Sequence, residues 1–130
     1  MIVPDASVVL VLLLRTEVGD VALLRLLDPH ETLHAPHLLD LEVAQVLRRF
    51  ALAGELSDAR AREALSDLAD LPIRRYPHDL FLDRVWQLRH NVTAYDAAYL
   101  ALAELLPATL LTCDTRLAGI PGVTATVEVV

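Results

Sequence analysis

Short apolar segments alternate along this chain with longer segments of helical periodicity, and this alternation is the feature that most constrains the fold. Strands are predicted at residues 1–4, 32–35, 73–76, 109–112 and 123–130. Between them apolar residues recur at intervals of three and four, most clearly in 38–54, where Leu39, Val43, Leu47 and Phe50 fall on one helical face. Strands that alternate with helices are typical of α/β proteins, so we predict a mostly parallel central sheet flanked by helices.

N-cap residues and prolines indicate where the predicted helices begin and end. Ser57 and Thr93 are predicted N-caps of two helices, and Pro72 and Pro107 are predicted to end the same two helices. The predicted helices are 8–14, 17–27, 38–54, 58–71, 79–88 and 93–106, with a helical turn from residue 115. We expect core-facing side chains at Val21 and Leu24 in the second helix and at Tyr95, Tyr99 and Leu102 in the last.

Length and composition predict one domain, residues 1–130, in a reducing compartment. A chain of 130 residues with 55% hydrophobic residues can bury one core without disulfides, and it has one cysteine, Cys113. The apolar run from Ser7 to Leu14 is far shorter than the ~20 residues that cross a bilayer. Asp5 stands where a signal peptide would carry positive charge. We therefore expect a cytoplasmic protein without a membrane segment.

All eleven basic residues are arginines, which excludes mechanisms that depend on lysine. P-loop nucleotide hydrolysis and Schiff-base chemistry are among them. The formal net charge of −7 argues against binding nucleic acid over the general surface, but it does not exclude an acidic site neutralised by a metal. No histidine stands beside Ser7 or Cys113 as the base of a nucleophile, so we set covalent catalysis aside.

Four carboxylates stand apart from those on solvated helix faces. Asp5 and Asp114 each follow a predicted strand closely, where open parallel sheets bind ligands. Glu42 lies on the apolar face of its helix, and Asp96 lies in the first turn of another. If the four converge, their mutual repulsion calls for a cation, and a set of oxygen ligands suits Mg²⁺ or Mn²⁺ better than zinc.

Structural alternatives exist for each of these acids. Asp5 and Asp114 are also suitable N-caps, and Asp96 stands where a capping box would place its acid. Glu42 has no capping role, so its alternative is a buried ion pair with an arginine. A rival metal site at His34 and His37 is disfavoured, because Pro36 interrupts helical geometry between them.

Four segments in order along the chain are similar to the motifs of the PIN-domain nucleases, and the length of the chain resembles the VapC-type ribonuclease toxins of that family. The segments are VPDASVV at 3–9, HLLDLEVAQVLRR at 37–49, TAYDAAYLALAE at 93–104 and LLTCDTRLA at 110–118. The resemblance implies a three-layer α/β/α sandwich. It also implies an acidic quartet that is catalytic and binds metal, formed by Asp5, Glu42, Asp96 and Asp114, with Ser7 and Thr112 as polar helpers.

The activity implied by this resemblance is Mg²⁺-dependent hydrolysis of RNA, with Mn²⁺ as a substitute. Arg116 is the first candidate for binding the RNA phosphates, and Arg15 is the second. The alternatives are a catalytically inactive interaction module of the same fold and a metal-dependent phosphatase for small esters. The high apolar fraction predicts a homodimer. The resemblance implies a VapB-like antitoxin that binds a groove around Val11, Leu14 and Leu47.

Overall fold

The computed structural model describes residues 1–130 apart from the side chain of residue 18. In chain order its elements are β1 (Ile2–Pro4), α1 (Ala6–Leu13), α2 (Glu17–Leu26), β2 (Leu33–Pro36), α3 (Leu38–Leu52), α4 (Asp58–Asp70), β3 (Ile73–Tyr76), a 3₁₀ turn (His78–Phe81), α5 (Leu82–Gln87), α6 (Ala94–Leu105), β4 (Thr109–Thr112), a second 3₁₀ turn (Thr115–Leu117) and β5 (Thr126–Val129).

The five strands form one sheet in the order β3-β2-β1-β4-β5, and every neighbouring pair is parallel. The central strand β1 pairs with β2 through Ile2 and Leu33, and with β4 along its whole length. Pro4 stands at the end of β1, where a residue without a backbone N–H is tolerated. The prediction of an α/β fold with a mostly parallel sheet is confirmed.

Helices cover both faces of this sheet. Ile2 and Val3 are adjacent, so their side chains point to opposite faces, and both are fully buried. Helix α6 packs against β1, β2 and β4, whereas α1 packs against β1 and β4 and also contacts α2, α3 and α4. The three-layer arrangement is therefore confirmed. Within the described part of the chain, no helix is both long and apolar enough to span a membrane.

Side-chain hydrogen bonds explain the main differences in element boundaries. Helix α1 begins at residue 6 rather than 8, because the Asp5 side chain accepts a hydrogen bond from Val8 N and caps it. Strand β5 begins at residue 126 rather than 123. Just before it, Glu104 accepts a hydrogen bond from Thr124 N (2.9 Å) and Arg84 donates one to Gly122 O (2.6 Å), which hold this segment outside the sheet. The helix predicted at 79–88 is a 3₁₀ turn followed by α5.

The predicted core face of α2 is wrong, because Leu24 is 78% exposed and Val21 is also exposed. Among the described side chains of this helix, Ala22 and Leu26 are buried instead. Gly19 sets this rotation: a Cβ there would clash with the carbonyl oxygen of Val11, so α2 meets α1 along the face that carries the glycine.

Two further expectations about exposure are wrong. Tyr95 is 62% exposed, because it lies in the first turn of α6, before the buried stretch of that helix that begins at Ala97. Leu47 lies on the buried face of α3 and cannot line an open groove. Val11 and Leu14 are only partly buried.

Candidate active site

The order of the strands creates a crevice at one edge of the sheet. From β1 the chain places β2 and β3 on one side and β4 and β5 on the other, so β1 and β4 flank the point where the winding direction reverses. Ligands of open α/β sheets bind at the carboxyl ends of the strands beside such a point. Asp5 directly follows β1, and Asp114 stands two residues beyond β4, so both lie at this crevice.

Two hydroxyl groups hold the Asp5 carboxylate in place. Ser7 Oγ donates to Oδ1 (2.5 Å) and Thr112 Oγ1 donates to Oδ2 (2.5 Å), while Val8 N also donates to Oδ1 (3.1 Å). Both hydroxyls accept backbone N–H groups from the loop after β4: Cys113 N donates to Ser7 Oγ and Asp114 N to Thr112 Oγ1, each at 2.9 Å. The carboxylate is therefore oriented by β4, which carries Thr112, and by the first turn of α1, which carries Ser7 and Val8.

Burial makes the Asp5 carboxylate less acidic. Only 7% of this residue is exposed, and the loss of hydration raises its pKa above the ordinary value. The hydrogen bonds from Ser7, Thr112 and Val8 oppose this shift. Such an anion, fixed in place and poorly hydrated, is a suitable ligand for a cation.

Glu42 reaches the same region from α3 and is bound to a buried tyrosine. Tyr99 of α6 is 2% exposed, and its hydroxyl donates to Glu42 Oε2 (2.5 Å). Burial raises the pKa of Glu42, the hydrogen bond from Tyr99 lowers it, and the charges of Asp96 and Asp5 raise it further. Burial together with the Glu42 carboxylate also raises the pKa of Tyr99. The ion pair with an arginine considered for Glu42 is not formed among the described residues.

Asp96 lies in the first turn of α6 without acting as a cap. Its backbone N donates to the Thr93 hydroxyl (3.2 Å), so Thr93 is the N-cap, as predicted. Within the described part of the chain, the Asp96 carboxylate has no hydrogen bond or ion pair. The capping box therefore has only one of its two bonds, and the Asp96 carboxylate remains available to a ligand.

Asp114 is engaged by Arg116. Its carboxylate accepts from the Arg116 backbone N (2.9 Å), and it forms an ion pair with the Arg116 guanidinium through Nη2 (2.6 Å) and Nε (2.9 Å). These contacts hold the pKa of Asp114 below its ordinary value. Asp114 is also the N-cap of the second 3₁₀ turn. A cation could use this carboxylate fully only after the guanidinium moves away.

The four acids are neighbours, but they are not assembled as a closed set of ligands. Asp5 and Asp96 act electrostatically on Glu42, and Asp96 shares a cavity with Asp114. Glu42 lines a separate groove with Tyr95, Gln45 and Arg49. Among the described residues, no three acidic, histidine or cysteine side chains converge closely enough to hold an ion. The assignment of the quartet as metal ligands and catalytic groups stays a prediction.

The remaining candidates lie elsewhere. Arg15 follows the far end of α1, about 12 Å along the helix from its cap at Asp5, and forms an ion pair with Glu63 (3.8 Å). His34 is bound to Thr32 Oγ1 and Tyr76 Oη, both at 2.8 Å. His37 packs edge-on against His78. The structure thus separates Arg15 from the acids and shows no metal-site geometry for His34 and His37 among the described residues.

Tyr99 is the site residue that the sequence analysis missed. Its place on the apolar face of α6 predicts a core residue, and its ring is buried as expected. A buried tyrosine hydroxyl usually has a hydrogen-bond partner, and Tyr99 lies three residues after Asp96 on the same helix. Those two facts are the signal that could have linked it to the acids.

Comparisons with known proteins agree with this architecture. The family model described as "PIN domain" matches residues 2–123. Ribonuclease VapC12 of Mycobacterium tuberculosis is 41% identical over 130 residues, which cover 100% of this chain and 99% of that protein. Ribonuclease VapC9 of the same organism is 44% identical over 117 residues, covering 90% of this chain and 88% of VapC9.

Solved structures share the fold at lower identity. The crystal structure of PAE2754 from Pyrobaculum aerophilum has a TM-score of 0.71 at 24% identity and covers 98% of this chain and 83% of that one. VapC20 of Mycobacterium tuberculosis, described as a Sarcin-Ricin loop cleaving toxin, has a TM-score of 0.64 at 18% identity, covering 95% of this chain and 98% of VapC20. The parallel sheet, the crevice with its acids and the full-length relatives agree: this chain belongs to the PIN-domain family, among its VapC ribonucleases.

Proposed function

We propose that this chain is a metal-dependent endoribonuclease that hydrolyses RNA phosphodiester bonds in the crevice beside β1 and β4, as the toxin of a VapBC-type pair. The observation that carries the proposal is the placement of Asp5. Its carboxylate is buried, oriented by Ser7 and Thr112, and close enough to Glu42 to alter the acidity of that side chain. The PIN-domain match and the VapC relatives support the same reaction.

The acids fit a divalent cation by their chemistry. All of the donors are oxygens, and the burial of Asp5 with the repulsion at Glu42 leaves negative charge that a cation would neutralise. Oxygen ligands suit Mg²⁺, with Mn²⁺ as a substitute. Asp5, Asp96 and Asp114 would hold the metal. When bound, it supplies a Lewis acid that lowers the pKa of a coordinated water and neutralises charge on the phosphate.

The chain's own residues supply position and proton transfer. Ser7 and Thr112 fix both oxygens of Asp5, so that carboxylate cannot rotate as the substrate enters. Tyr99 donates to Glu42 Oε2, which leaves Oε1 to accept a proton from an attacking water. The raised pKa of Glu42 makes it a better proton acceptor than an exposed glutamate. In this mechanism no side chain acts as a nucleophile.

Substitution of Asp96 tests the reaction without disturbing the fold. The Asp96 carboxylate makes no hydrogen bond to the described residues, so Asp96→Asn should preserve the helix while removing a ligand charge. We expect loss of Mg²⁺-dependent cleavage of a structured RNA, with a melting temperature in EDTA no lower than that of wild type, because the lost charge repels Glu42. Asp70→Asn, at the exposed end of α4, is the matched control and should cleave at the wild-type rate. Equal cleavage by wild type and Asp96→Asn would refute the assignment.

The partner of this toxin would be a VapB-like antitoxin. A segment of that protein that is disordered when free would fold along the partly buried surface of α1 near Val11 and Leu14. An arginine of the antitoxin would neutralise the acids of the crevice. Co-expression with the neighbouring gene should relieve growth inhibition, and failure of the two products to copurify would contradict this partnership.

The toxin itself would be a homodimer. Several large apolar side chains are exposed in the single chain, and such surfaces mark sites of association. They include Leu24, Leu27, Leu41, Leu82 and Trp86. Light scattering should give about twice the chain mass of 14.3 kDa, since twofold dimers are the commonest assembly. A mass of one chain at micromolar concentration would contradict the dimer.

A further inference from the structure

A cavity of about 530 Å³ adjoins the acids of the crevice. Asp96 and Asp114 line one part of it, and Arg89, His90 and Asn91 of the α5–α6 loop line another. Any strand whose phosphate reaches Asp96 and Asp114 therefore passes beside this loop. The proposed mechanism gives the loop no role.

Arg89 differs from most arginines of the chain in having no acidic partner. Within the described part of the chain, ion pairs engage Arg15, Arg25, Arg60, Arg62, Arg75, Arg84 and Arg116, and none engages Arg89. Arg116 also lines the cavity, but its guanidinium lies against Asp114. Arg89 thus supplies positive charge to the cavity that no carboxylate cancels.

The Arg89 guanidinium is also held in place. It lies over the ring of Trp86, 4.7 Å from the centroid, and its Nη1 donates to the Trp86 carbonyl oxygen (2.9 Å). The loop is fixed in turn, because Asn91 N donates to Leu88 O (3.0 Å) and Asn91 Nδ2 to Pro121 O (3.3 Å). A guanidinium positioned in this way loses little conformational freedom when it binds an anion.

We propose that Arg89 binds a backbone phosphate of the RNA strand next to the scissile phosphate. The inference rests on the proposed ribonuclease function. Because the chain carries a net charge of −7 and the scissile phosphate must enter among acids, a cation on the approach is needed to offset repulsion of the strand. The planar guanidinium matches two phosphate oxygens, and two of its nitrogens make no hydrogen bond among the described residues.

The test compares Arg89→Gln with a matched control, Arg74→Gln. Arg74 also has no ion pair among the described residues and lies over a ring, that of Tyr76, at 5.4 Å. It lines a cavity with Asp28 and Thr32, among the loops that precede β2 and β3 and so at the opposite edge of the sheet. The two substitutions remove the same charge and the same kind of stacking, but only one lies beside the acids.

Binding is measured by fluorescence anisotropy with a labelled single-stranded RNA of 12 nucleotides in EDTA, from 50 to 200 mM salt. We expect Arg89→Gln to weaken binding about tenfold and to reduce the slope of log K against log salt by about 0.7, the share of one single-strand phosphate. Arg89→Lys should restore most of the slope, and Arg74→Gln should leave affinity and slope at wild-type values. With Mg²⁺, Arg89→Gln should raise KM while kcat stays within twofold of wild type.

An unchanged slope in Arg89→Gln, or the same loss in Arg74→Gln, overturns the inference while cleavage by wild type leaves the ribonuclease function standing. A fall in kcat without a rise in KM also overturns it, because that result places Arg89 in the chemical step. A wild-type protein that neither cleaves nor binds RNA overturns both proposals.

Discussion

Replacing Tyr99 with phenylalanine should destabilise the protein by removing one hydroxyl from beside the acids. The ring of Tyr99 is buried among apolar side chains and fits phenylalanine without a cavity. The hydroxyl makes one hydrogen bond, to Glu42 Oε2 at 2.5 Å. The substitution therefore isolates the contribution of this bond to folding.

Hydrogen bonds to charged groups contribute about 1.5–3 kcal/mol to stability. Glu42 is only half-buried, so water replaces part of the lost bond, and we expect a loss of about 1–2 kcal/mol at pH 7.5. This loss corresponds to a change of roughly 5- to 30-fold in the folding equilibrium.

The ionisation of Glu42 determines how the stability loss in Tyr99→Phe should change with pH. Burial and the neighbouring acids raise the pKa of Glu42 in the folded protein, so folding favours the protonated form of this side chain. The stabilisation that follows is complete below the unfolded pKa of 4.5 and is lost as pH rises through the folded pKa. Tyr99 opposes that rise in pKa, and Tyr99→Phe removes the opposition. The stability difference between wild type and Tyr99→Phe should therefore grow from pH 4.5 to pH 7.5.

Urea unfolding followed by circular dichroism at several pH values measures both effects. Tyr95→Phe is the matched control, because Tyr95 lies on the same helix with its ring exposed, and its stability should match wild type. In Glu42→Gln the effect of Tyr99→Phe should shrink, which a double-mutant cycle would show. A Tyr99→Phe protein as stable as Tyr95→Phe at pH 7.5, or a difference that does not change with pH, would refute the reasoning.

Two further predictions concern metal and the ion pairs. Millimolar Mg²⁺ should raise the melting temperature of wild type and raise it less in Asp5→Asn, since an ion that binds the native state stabilises it more the more tightly it binds. Equal shifts in melting temperature in the two proteins would show that the ion binds elsewhere. Arg84→Gln should cost about 1–3 kcal/mol at pH 7, because Glu104 would lose its partner at 2.6 Å. The Arg84 guanidinium lowers the pKa of Glu104, so the part of this cost that comes from Glu104 should be lost as pH falls through the folded pKa, while the part that comes from the hydrogen bond of Arg84 to Gly122 O should remain. Arg62→Gln, in an exposed ion pair, should change stability little at any pH.

The sequence predicted every strand and the capped helices because their signals are local. Ser57 and Thr93 cap the helices that follow them, and β3 and β4 have the predicted bounds. The face of α2 could not be predicted in this way. Its buried side is set by the approach of Gly19 to Val11 of a different helix, and that contact overrides the period of the apolar residues.

The candidate site was predictable in its residues but not in its contacts. Asp5 and Asp114 were identified because parallel strands bring their carboxyl ends to one edge. The partners of these acids depend on packing between distant segments. Tyr99 meets Glu42 across 57 positions of sequence, and Thr112 meets Asp5 across 107. No periodicity within one segment carries that information.

Asp5 has a capping role and a site role at once, and this separates it from Asp96. One oxygen of Asp5 accepts from Val8 N at the start of α1, while the other accepts from Thr112 on the neighbouring strand. Substitution of Asp5 therefore weakens the fold as well as any metal site, since loss of an N-cap costs about 1 kcal/mol. Asp96 has no such bond, so its substitution changes charge alone. Loss of cleavage in Asp96→Asn is for that reason stronger evidence for catalysis than the same loss in Asp5→Asn.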